Sequence, residues 1–434
     1  MNIVVITESG KFGFNFSGGD SVVTALLWRL IALDHKVSLV RILRKGVDKD
    51  DAFEEKAFVE EFNQYRTSRD VFNRLKEVIG QQVKILLEPS HPVATKDVVS
   101  RIQAVTRRVS NPAFGINDYA NAENAEILAE KLRQIGPDLI IANHLLPSAL
   151  LCIKPSIGSW VTVHHDWISR LLFKKLGRTP KLSQLARLIF LRYGERRITK
   201  SADGVICVSE REKREIENRG QPRTLLFPPF YPSVETKEIR ILSKRLYHFG
   251  GMSTTANRIG LEVFLGEMWK SVLSRPEFSE CELVLVGDVS NPGIKLTRLF
   301  AESERVKSLG RVEDVETLFK PFELQLIPYP GRTGVRTKIP FLMRLSQVLL
   351  VHENSIKDLE GLESGVNCLT YASPNEFLDA LNRLFSDKQL RVSLGSCARI
   401  LFEEKFSLES SWPRLEVFLD ALGNEPNVMK FPGK

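Results

Sequence analysis

The stretch "AENAEILAEKLRQIGPDLIIAN", residues 122–143, contains a helix, a helix stop and a buried strand in direct succession. Apolar side chains recur at helical spacing up to Gly136 and Pro137, a pair that is typical of a helix end. The run "DLIIAN" that follows is apolar almost throughout, as expected for a strand that is covered on both faces. A helix that leads straight into such a strand is the repeating unit of parallel α/β sheets.

The same alternation runs through the rest of the chain. Four prolines between residues 222 and 232 suit an extended linker, and 434 residues exceed what one core usually holds. We therefore expect an α/β protein with two Rossmann-like, doubly wound parallel-sheet domains that face a cleft, over residues 1–230 and 231–410. The further strand candidates are "NIVVIT", "KVSLVRI", "VKILL", "WVTVHH" and "GVICVS" in the first domain, and "RLYHFGG", "ELVLVGD", "LQLIP" and "QVLLVHE" in the second.

Composition indicates a soluble protein of the cytoplasm. The hydrophobic content of 43% and the charged content of 26% are ordinary for a globular chain. The five cysteines are scattered and form no CxxC pair, which favours reduced thiols. No apolar run has the length and flanks of a signal peptide or a membrane span.

The net charge of +8 is concentrated in residues 167–200, where ten cationic side chains accompany one acid, Glu195. This segment is either a solvated helical face or a surface for anionic lipid or an acidic acceptor. Trp167, Leu172 and Phe173 beside lysines form a short amphipathic basic stretch, which supports the membrane alternative. Nucleic acid is not expected as a partner, because no DNA-binding motif or interleaved stacking aromatics occur.

Ligands of open parallel sheets bind beyond the carboxyl ends of the strands, so the loops after the strands hold the candidate sites. Gly18 and Gly19 precede an amphipathic helix that Asp20 or Ser21 would cap. Glycine admits a ligand close to the backbone and a helix N-terminus favours anions, although a structural turn explains the pair equally well. The GxGxxG and GxxxxGK[ST] motifs are absent from the sequence, which removes the main support for nicotinamide and P-loop chemistry.

Two strand exits in the first half carry polar groups suited to acid–base chemistry. His164, His165 and Asp166 end "WVTVHHD", and Asn143 and His144 end "DLIIANH". Imidazole is the natural group for orienting or deprotonating a hydroxyl near neutral pH. A metal site is not expected, because no further ligand stands at a recognisable spacing.

Glycines and cations follow the strands of the second half. Gly250, Gly251 and Ser253 could cradle a diphosphate or form a plain turn. Cations and a helix start converge after "LQLIP", which suits a leaving diphosphate, with a solvated basic loop as the alternative. Glu360 beside Gly361 places a carboxylate in a tight turn that could bind ribose hydroxyls. The cations concerned are Arg332, Arg336 and Lys338.

Several stretches together resemble the retaining glycosyltransferases of GT-B fold called family 4, or glycosyl transferases group 1. The resemblance spans most of the chain, is strongest after residue 200 and is weak between residues 45 and 130. Four of the stretches are "SGGDSVVTALLWRLIALDHKVSLV", "SADGVICVSEREKREI", "FGGMSTTANRIGLEVFLGEMW" and "LGRVEDVETLFKPFELQLIPYPGRTGVRTKI". The last of these is the most specific match. "EGLESGVNCL" and the segment up to Trp412 continue in family order.

The resemblance implies that the first domain binds a glycan or lipid-linked acceptor and the second a nucleotide-diphosphate sugar. Residues 411–434 would then form a helix that crosses back and a tail. It also implies no cofactor and no metal, because arginine and lysine take the metal's place, and a role in bacterial surface polysaccharide synthesis at the inner face of the plasma membrane. By position, Arg336 and Lys338 would face the diphosphate, and His165 or His164 the sugar or acceptor hydroxyl. We expect Asn143 and His144 to bind the acceptor. Gly18, Gly19, Glu360, Gly361 and Leu362 would lie near the donor.

One departure from the family pattern is plain. Thr333 and Phe341 occupy the places where many members carry two glutamates that bind the sugar and the ribose. Losing a charged acceptor for a diol costs about 1.5–3 kcal/mol. Three alternatives follow: an active transferase with altered donor choice, a non-catalytic GT-B nucleotide-sugar-binding or scaffold protein, or another GT-B enzyme such as an epimerase.

Overall fold

The structure is a computed structural model, and contacts divide it into two compact units. One comprises Met1–Pro228 with Trp412–Lys434, and the other Pro229–Ser411. The structure describes residues 1–8, 12, 18–48, 58–59, 69–89, 117–154, 158–176, 180–221, 223–234, 243–252, 254–290, 292–312, 315–331 and 336–423.

The first unit is built on a parallel sheet of seven described strands. They are β1 (Asn2–Thr7), β2 (Lys36–Arg44), β3 (Val83–Leu87), β4 (Leu139–Asn143), β5 (Ser159–His164), β6 (Gly204–Cys207) and β7 (Thr224–Leu226). Their order is β3-β2-β1-β4-β5-β6-β7, and each pairing is parallel. The strand order reverses between β1 and β4, so the carboxyl ends of these two strands mark the place where such sheets bind ligands.

Helices cover both faces of this sheet. They are α1 (Gly18–Ala32), α2 (Arg69–Gly80), α3 (Ala122–Ile135), α4 (Leu145–Ile153), α5 (Ile168–Lys175), α6 (Leu182–Ser201) and α7 (Glu210–Glu217). Helix α3 ends as the sequence predicts: Gly136 adopts a left-handed φ of 62° and donates its backbone N–H to the carbonyl of Leu132.

Helix α1 differs from its prediction in two respects. It begins at Gly18, so Asp20 and Ser21 lie inside it and the expected cap at those residues is wrong. It is also not amphipathic in its setting, because residues 21–31 are all buried. The run "SVVTALLWRLI" has apolar side chains on every face, and a helix of that kind is stable only when it is enclosed.

The second unit repeats the plan with a parallel sheet of six described strands. They are β8 (Arg245–Phe249), β9 (Glu282–Val286), β10 (Val306–Ser308), β11 (Leu324–Ile327), β12 (Val348–His352) and β13 (Leu369–Tyr371). The order is β10-β9-β8-β11-β12-β13, which reverses between β8 and β11. Two doubly wound units of this kind confirm the predicted fold class.

The helices of the second unit include one with an irregular middle. Helix α8 (Thr255–Val263) continues through a π-helical turn, Phe264–Met268, into α9 (Trp269–Leu273). The others are α10 (Ile294–Glu302), α11 (Val315–Leu318), α12 (Lys338–Arg344), α13 (Pro374–Ser386), α14 (Lys388–Lys405) and α15 (Leu408–Gly423), with 3-10 turns at Pro276–Phe278 and Glu353–Ser355. Helix α12 begins three residues before the predicted helix "FLMRLS".

The later part of α15 belongs to the first unit. Phe418 is buried against β6, and a Cβ atom built on Gly204 would stand 2.8 Å from its ring. Leu415 and Leu419 are buried beside it. The core of the first unit therefore includes residues from the beginning of the chain and from the last helix, α15. Within the part of the chain that the structure describes, no helix combines the length and apolarity needed to cross a membrane.

Candidate active site

Asn143 connects two strand exits of the first unit. Its Nδ2 atom donates to Thr7 Oγ1 at 3.3 Å, across the point where the order of β1 and β4 reverses. Its Oδ1 atom lies 2.7 Å from Nε2 of His165, which follows β5. Because Nδ2 is used as the donor, Oδ1 is the acceptor, and His165 therefore carries its proton on Nε2.

This tautomer leaves Nδ1 of His165 as a proton acceptor. The rings of His165 and His144 stack with centroids 4.4 Å apart. Burial lowers the pKa of His165 well below its ordinary value, and His144 and His164 lower it further. Among the described residues, Nδ1 has no hydrogen-bond partner. A neutral imidazole with a free lone pair can accept a proton or a hydrogen bond from a hydroxyl.

His144 adopts a backbone conformation that the sequence did not indicate. Its φ of 77° lies in a region that side chains other than glycine rarely occupy, and it directly precedes α4. Such strain costs about 1–3 kcal/mol and is concentrated at functional sites. The His144 ring stacks on His165, so side chains from these two strand exits lie together.

His164 lies in a different environment from His165. Its ring packs against Trp167 with centroids 4.5 Å apart, and burial lowers its pKa to about 4. Successive residues at the end of a strand point to opposite faces, so the two histidines are separated by the sheet geometry. Asp166 follows them and is half-buried. The catalytic roles of these three residues stay predictions.

In the second unit, the glycine turn after β8 is closely packed. Gly250 has a φ of 127°, and a Cβ atom there would stand 2.5 Å from Asn257 Nδ2. A Cβ on Gly287, after β9, would meet the carbonyl carbon of Gly250 at 2.6 Å. Asn257 donates from Nδ2 to the carbonyl of Gly251 at 2.9 Å, so this asparagine of α8 holds the turn in place. Asn257 lies within the stretch "FGGMSTTANRIG", but the sequence alone did not indicate this role.

Lys338, which follows the neighbouring strand β11, contacts this turn. Its Nζ atom donates to the carbonyl of Phe249 at 2.6 Å and would lie 3.4 Å from a Cβ on Gly250. The contact links the exits of β8 and β11, where the strand order reverses. Burial, together with the nearby Arg336 cation, lowers the pKa of Lys338 to about 7. An anion bound here would relieve both effects.

The loops after β11 and β12 converge on the same edge of the sheet. The guanidinium of Arg336 lies 4.5 Å from the ring centre of Tyr329. Ser355 donates from Oγ to the carbonyl of Tyr329 at 2.8 Å, and Asn354 donates from Nδ2 to that of Pro330 at 3.0 Å. The predicted donor-site residues Ser253, Arg332 and Thr333 lie outside the described residues.

The turn at Glu360 is present, and its carboxylate already has a cation. Glu360 is exposed and forms an ion pair with Lys405 Nζ at 2.6 Å. Gly361 has a φ of 86°, and its carbonyl accepts from Asn367 Nδ2 at 2.9 Å, while Leu362 is half-buried. A ribose that bound Glu360 would therefore share the carboxylate with Lys405.

Phe341 is a core residue rather than a side chain turned toward a ligand. It is 3% exposed and stacks on Phe249 with centroids 5.3 Å apart. Tyr231 contacts it edge-on at 5.6 Å. The place where many family members carry a glutamate is thus filled by an aromatic cluster beneath the β8 exit. Within the described ranges, no three His, Cys, Asp or Glu side chains gather as a potential metal site.

The two doubly wound units, each with polar groups at its point of strand reversal, define a protein of the GT-B class. The family described as Glycosyltransferase Family 4 matches residues 16–228, and Glycosyl transferases group 1 matches residues 243–387. The chain belongs to these families and is a glycosyltransferase. None of the curated proteins matches it.

Solved structures share the fold over nearly the whole chain. HepE from Anabaena, in complex with UDP, is 16% identical with a TM-score of 0.60, over 97% of this chain and all of that one. A TarM variant from S. aureus, in complex with fondaparinux, α-GlcNAc-glycerol and UDP, is 13% identical with a TM-score of 0.64, over 98% and 100%. Sucrose-phosphate synthase from Thermosynechococcus elongatus is 13% identical with a TM-score of 0.62, over 97% and 98%.

Proposed function

We propose that this glycosyltransferase retains the anomeric configuration, needs no metal or other cofactor, and moves a sugar from a nucleotide-diphosphate sugar to a glycan or lipid-linked acceptor. Its proposed place is the synthesis of a bacterial surface polysaccharide, in the cytoplasm. The observation that carries the proposal is the half-buried Lys338 ammonium beside the Gly250 turn, at the strand reversal of the second unit. Support comes also from similar structures that bind UDP, UDP-glucose or α-GlcNAc-glycerol.

The second unit supplies the stabilisation of the leaving group. Lys338 and Arg336 provide two cations for the charge that develops on the departing diphosphate. Gly250 lets phosphate oxygens approach the backbone, since it carries no side chain. Electrostatic stabilisation of this kind is usually the largest single contribution to group transfer.

The first unit supplies the group that handles a hydroxyl. His165 presents the Nδ1 lone pair, because Asn143 fixes the proton on Nε2. In the proposed reaction, Nδ1 accepts a hydrogen bond from a hydroxyl of the transferred sugar or of the acceptor. His144 stacks on His165 and acts as a positioning residue.

A donor screen tests the proposal directly. Thermal unfolding is followed with a panel of nucleotide-diphosphate sugars, and nucleotide release is then measured with candidate acceptors in the presence of EDTA. We expect one donor to stabilise the protein, and NMR of the product to show the anomeric configuration of the donor. Lys338→Met should remove most of the donor stabilisation, while Lys388→Met, an exposed lysine that starts α14, should not.

The outcomes separate the alternatives. Donor binding without transfer to any acceptor would favour a non-catalytic nucleotide-sugar-binding protein, the alternative that the phenylalanine at position 341 suggests. Absence of donor binding, or equal binding by the Lys338→Met and parent proteins, would contradict the donor site. Loss of activity in EDTA would overturn metal independence alone.

We further propose that residues 167–200 attach the protein peripherally to an anionic membrane surface. On α6, apolar side chains recur at i, i+3, i+7 and i+11, so they share one face. All are exposed, between 36% and 83%, and cations adjoin them. Such a stripe is typical of helices that lie in the membrane interface. The stripe comprises Leu182, Leu185, Ile189 and Tyr193.

Vesicle sedimentation tests this attachment. We expect binding to vesicles that contain phosphatidylglycerol and weak binding to phosphatidylcholine alone. Ile189→Ser should lower the binding, whereas Ile400→Ser, which changes a similarly exposed isoleucine on α14, should leave it unchanged. Equal binding by both variants would contradict the membrane role of α6.

A further inference from the structure

The first unit contains a cavity that neither the donor site nor the hydroxyl-handling site uses. It lies among α5, α6 and α7 and has a volume of about 140 Å³. Ligand pockets for drug-sized molecules are usually about 300–1,000 Å³, so this cavity is too small for a nucleotide sugar. It has room for a compact group such as a phosphate. Arginines dominate its lining: Arg170, Arg192, Arg196 and Arg219.

The charges of these arginines are only partly balanced. Glu215 forms ion pairs with both Arg170, at 2.6 Å, and Arg219. Arg192 and Arg196 are exposed at the cavity and make no ion pair with any described residue. Burial lowers the pKa of Arg219, Glu215 raises it in part, and the neighbouring arginines lower it. The cluster thus holds an excess of positive charge that a bound anion would stabilise.

Two buried polar atoms of the lining lack partners. Trp167 is 4% exposed, and its Nε1 donor makes no hydrogen bond among the described residues. Glu195 is 1% exposed; its Oε1 atom accepts from the backbone N–H of Ser169 at 3.0 Å, but Oε2 has no partner in the described chain. Burial raises the pKa of Glu195, while its hydrogen bonds with Ser169 lower it. Buried polar groups normally have partners, so unpaired ones indicate a missing ligand or water.

We infer that this cavity binds a phosphate group through Arg192, Arg196 and the Trp167 indole N–H. Guanidinium groups match phosphate oxygens with paired hydrogen bonds, and a tetrahedral phosphate offers acceptors to several forks at once. A carboxylate offers only two oxygens and would leave part of the cluster unpaired. The stacking of Arg219 on Trp167, with the guanidinium 4.4 Å from the ring centre, holds both groups at the cavity.

The phosphate could belong to a soluble molecule or to a lipid. Arg192 and Arg196 stand on the same helix as the apolar stripe of α6, and the exposed Phe173 also lines the cavity. A phospholipid or lipid phosphate could therefore place its headgroup among the arginines and its chains along the stripe. The shared chemistry is a phosphate ester or free phosphate, and the two sources differ in the apolar part.

Calorimetric titration with inorganic phosphate tests the site. The Lys338→Met protein is used, so that the proposed donor site does not contribute and the two proposals fail independently. We expect saturable binding of one phosphate, weakened at least tenfold by Arg192→Gln with Arg196→Gln. Arg187→Gln, an exposed arginine of α6 outside the cavity, is the matched control and should change the affinity less than twofold.

A second variant keeps the packing and removes one donor. Trp167→Phe retains a ring for Arg219 but lacks the N–H, and we expect it to weaken phosphate binding about threefold to tenfold. Thermal unfolding without phosphate checks that each variant folds. Absence of saturable phosphate binding, or equal affinity in the Arg192/Arg196 and Arg187 variants, would overturn the inference.

Monomeric short-chain phosphatidic acid distinguishes the sources. Binding at least tenfold tighter than that of inorganic phosphate would assign the site to a lipid phosphate, and equal binding to a soluble one. Either result requires the Arg192→Gln with Arg196→Gln protein to bind more weakly than the Arg187→Gln protein. Lipid binding that is insensitive to these arginines would count against the cavity.

Discussion

Donor affinity should fall as the pH rises through 7, because Lys338 loses its charge there. Its pKa is about 7, lowered by burial and by Arg336. A bound diphosphate stabilises the ammonium form and raises this pKa, so binding takes up a proton and is favoured at low pH. The diphosphate of a nucleotide sugar is a diester that does not titrate in this range.

The size of the effect follows from the protonated fraction. With a pKa of about 7, roughly nine-tenths of Lys338 is cationic at pH 6 and roughly one-tenth at pH 8. The observed affinity should therefore fall about tenfold over this interval, equivalent to about 1.4 kcal/mol. This change in affinity is measured by isothermal titration calorimetry at constant ionic strength, with the donor found in the thermal screen.

Variants test whether Lys338 causes the pH dependence of donor affinity. Lys338→Met should bind the donor weakly at every pH and show no slope, whereas Lys388→Met should keep both the affinity and the slope of the parent. Titrations in buffers of different ionisation enthalpy should reveal proton uptake in the parent near pH 7. A donor affinity that does not change between pH 6 and 8, or an equal slope in Lys338→Met, would refute the assignment.

Three further predictions concern packing and proton linkage. Phe341→Glu should lower the free energy of unfolding in urea by about 3–5 kcal/mol, because it removes a buried ring, and should not improve donor affinity; Phe341→Leu should cost less. The pKa of His164 is lowered to about 4, so stability should be lost as the pH falls from about 6.5 to 4, by at most about 3 kcal/mol, and urea unfolding of His164→Phe should lack this loss. Gly250→Ala should weaken donor binding in calorimetry, because its Cβ would collide with Asn257; Gly365→Ala, also at positive φ but in open space, should bind normally.

The long central strands were predictable and three short ones were not. Runs such as "NIVVIT" and "ELVLVG" are apolar enough to indicate covered strands. No comparable apolar run marks "TLL" at 224–226, "VKS" at 306–308 or "LTY" at 369–371, which form β7, β10 and β13. All three lie at sheet edges, where strands are characteristically short and need fewer apolar side chains.

The sequence predicted where the candidate sites lie better than it predicted which side chains touch there. Spacing put Asn143 and His165 at strand exits, and the parallel pairing of β4 with β5 brings them within hydrogen-bonding distance. The pairing of Glu360 with Lys405, and the burial of Phe341 under Phe249, depend on elements distant in sequence. Periodicity reports which face of an element is apolar, but not which distant side chain will meet it.

The position of Phe418 against Gly204 affects how the protein is made. The first unit needs residues from the end of the chain, so it cannot complete its core on the ribosome until the second unit has been synthesised. A fragment that stops at residue 228 would leave β6 uncovered where Phe418 packs, with an apolar surface open to association. Expression of the amino-terminal half alone should therefore yield aggregates, and adding a peptide that spans residues 408–423 should improve its solubility.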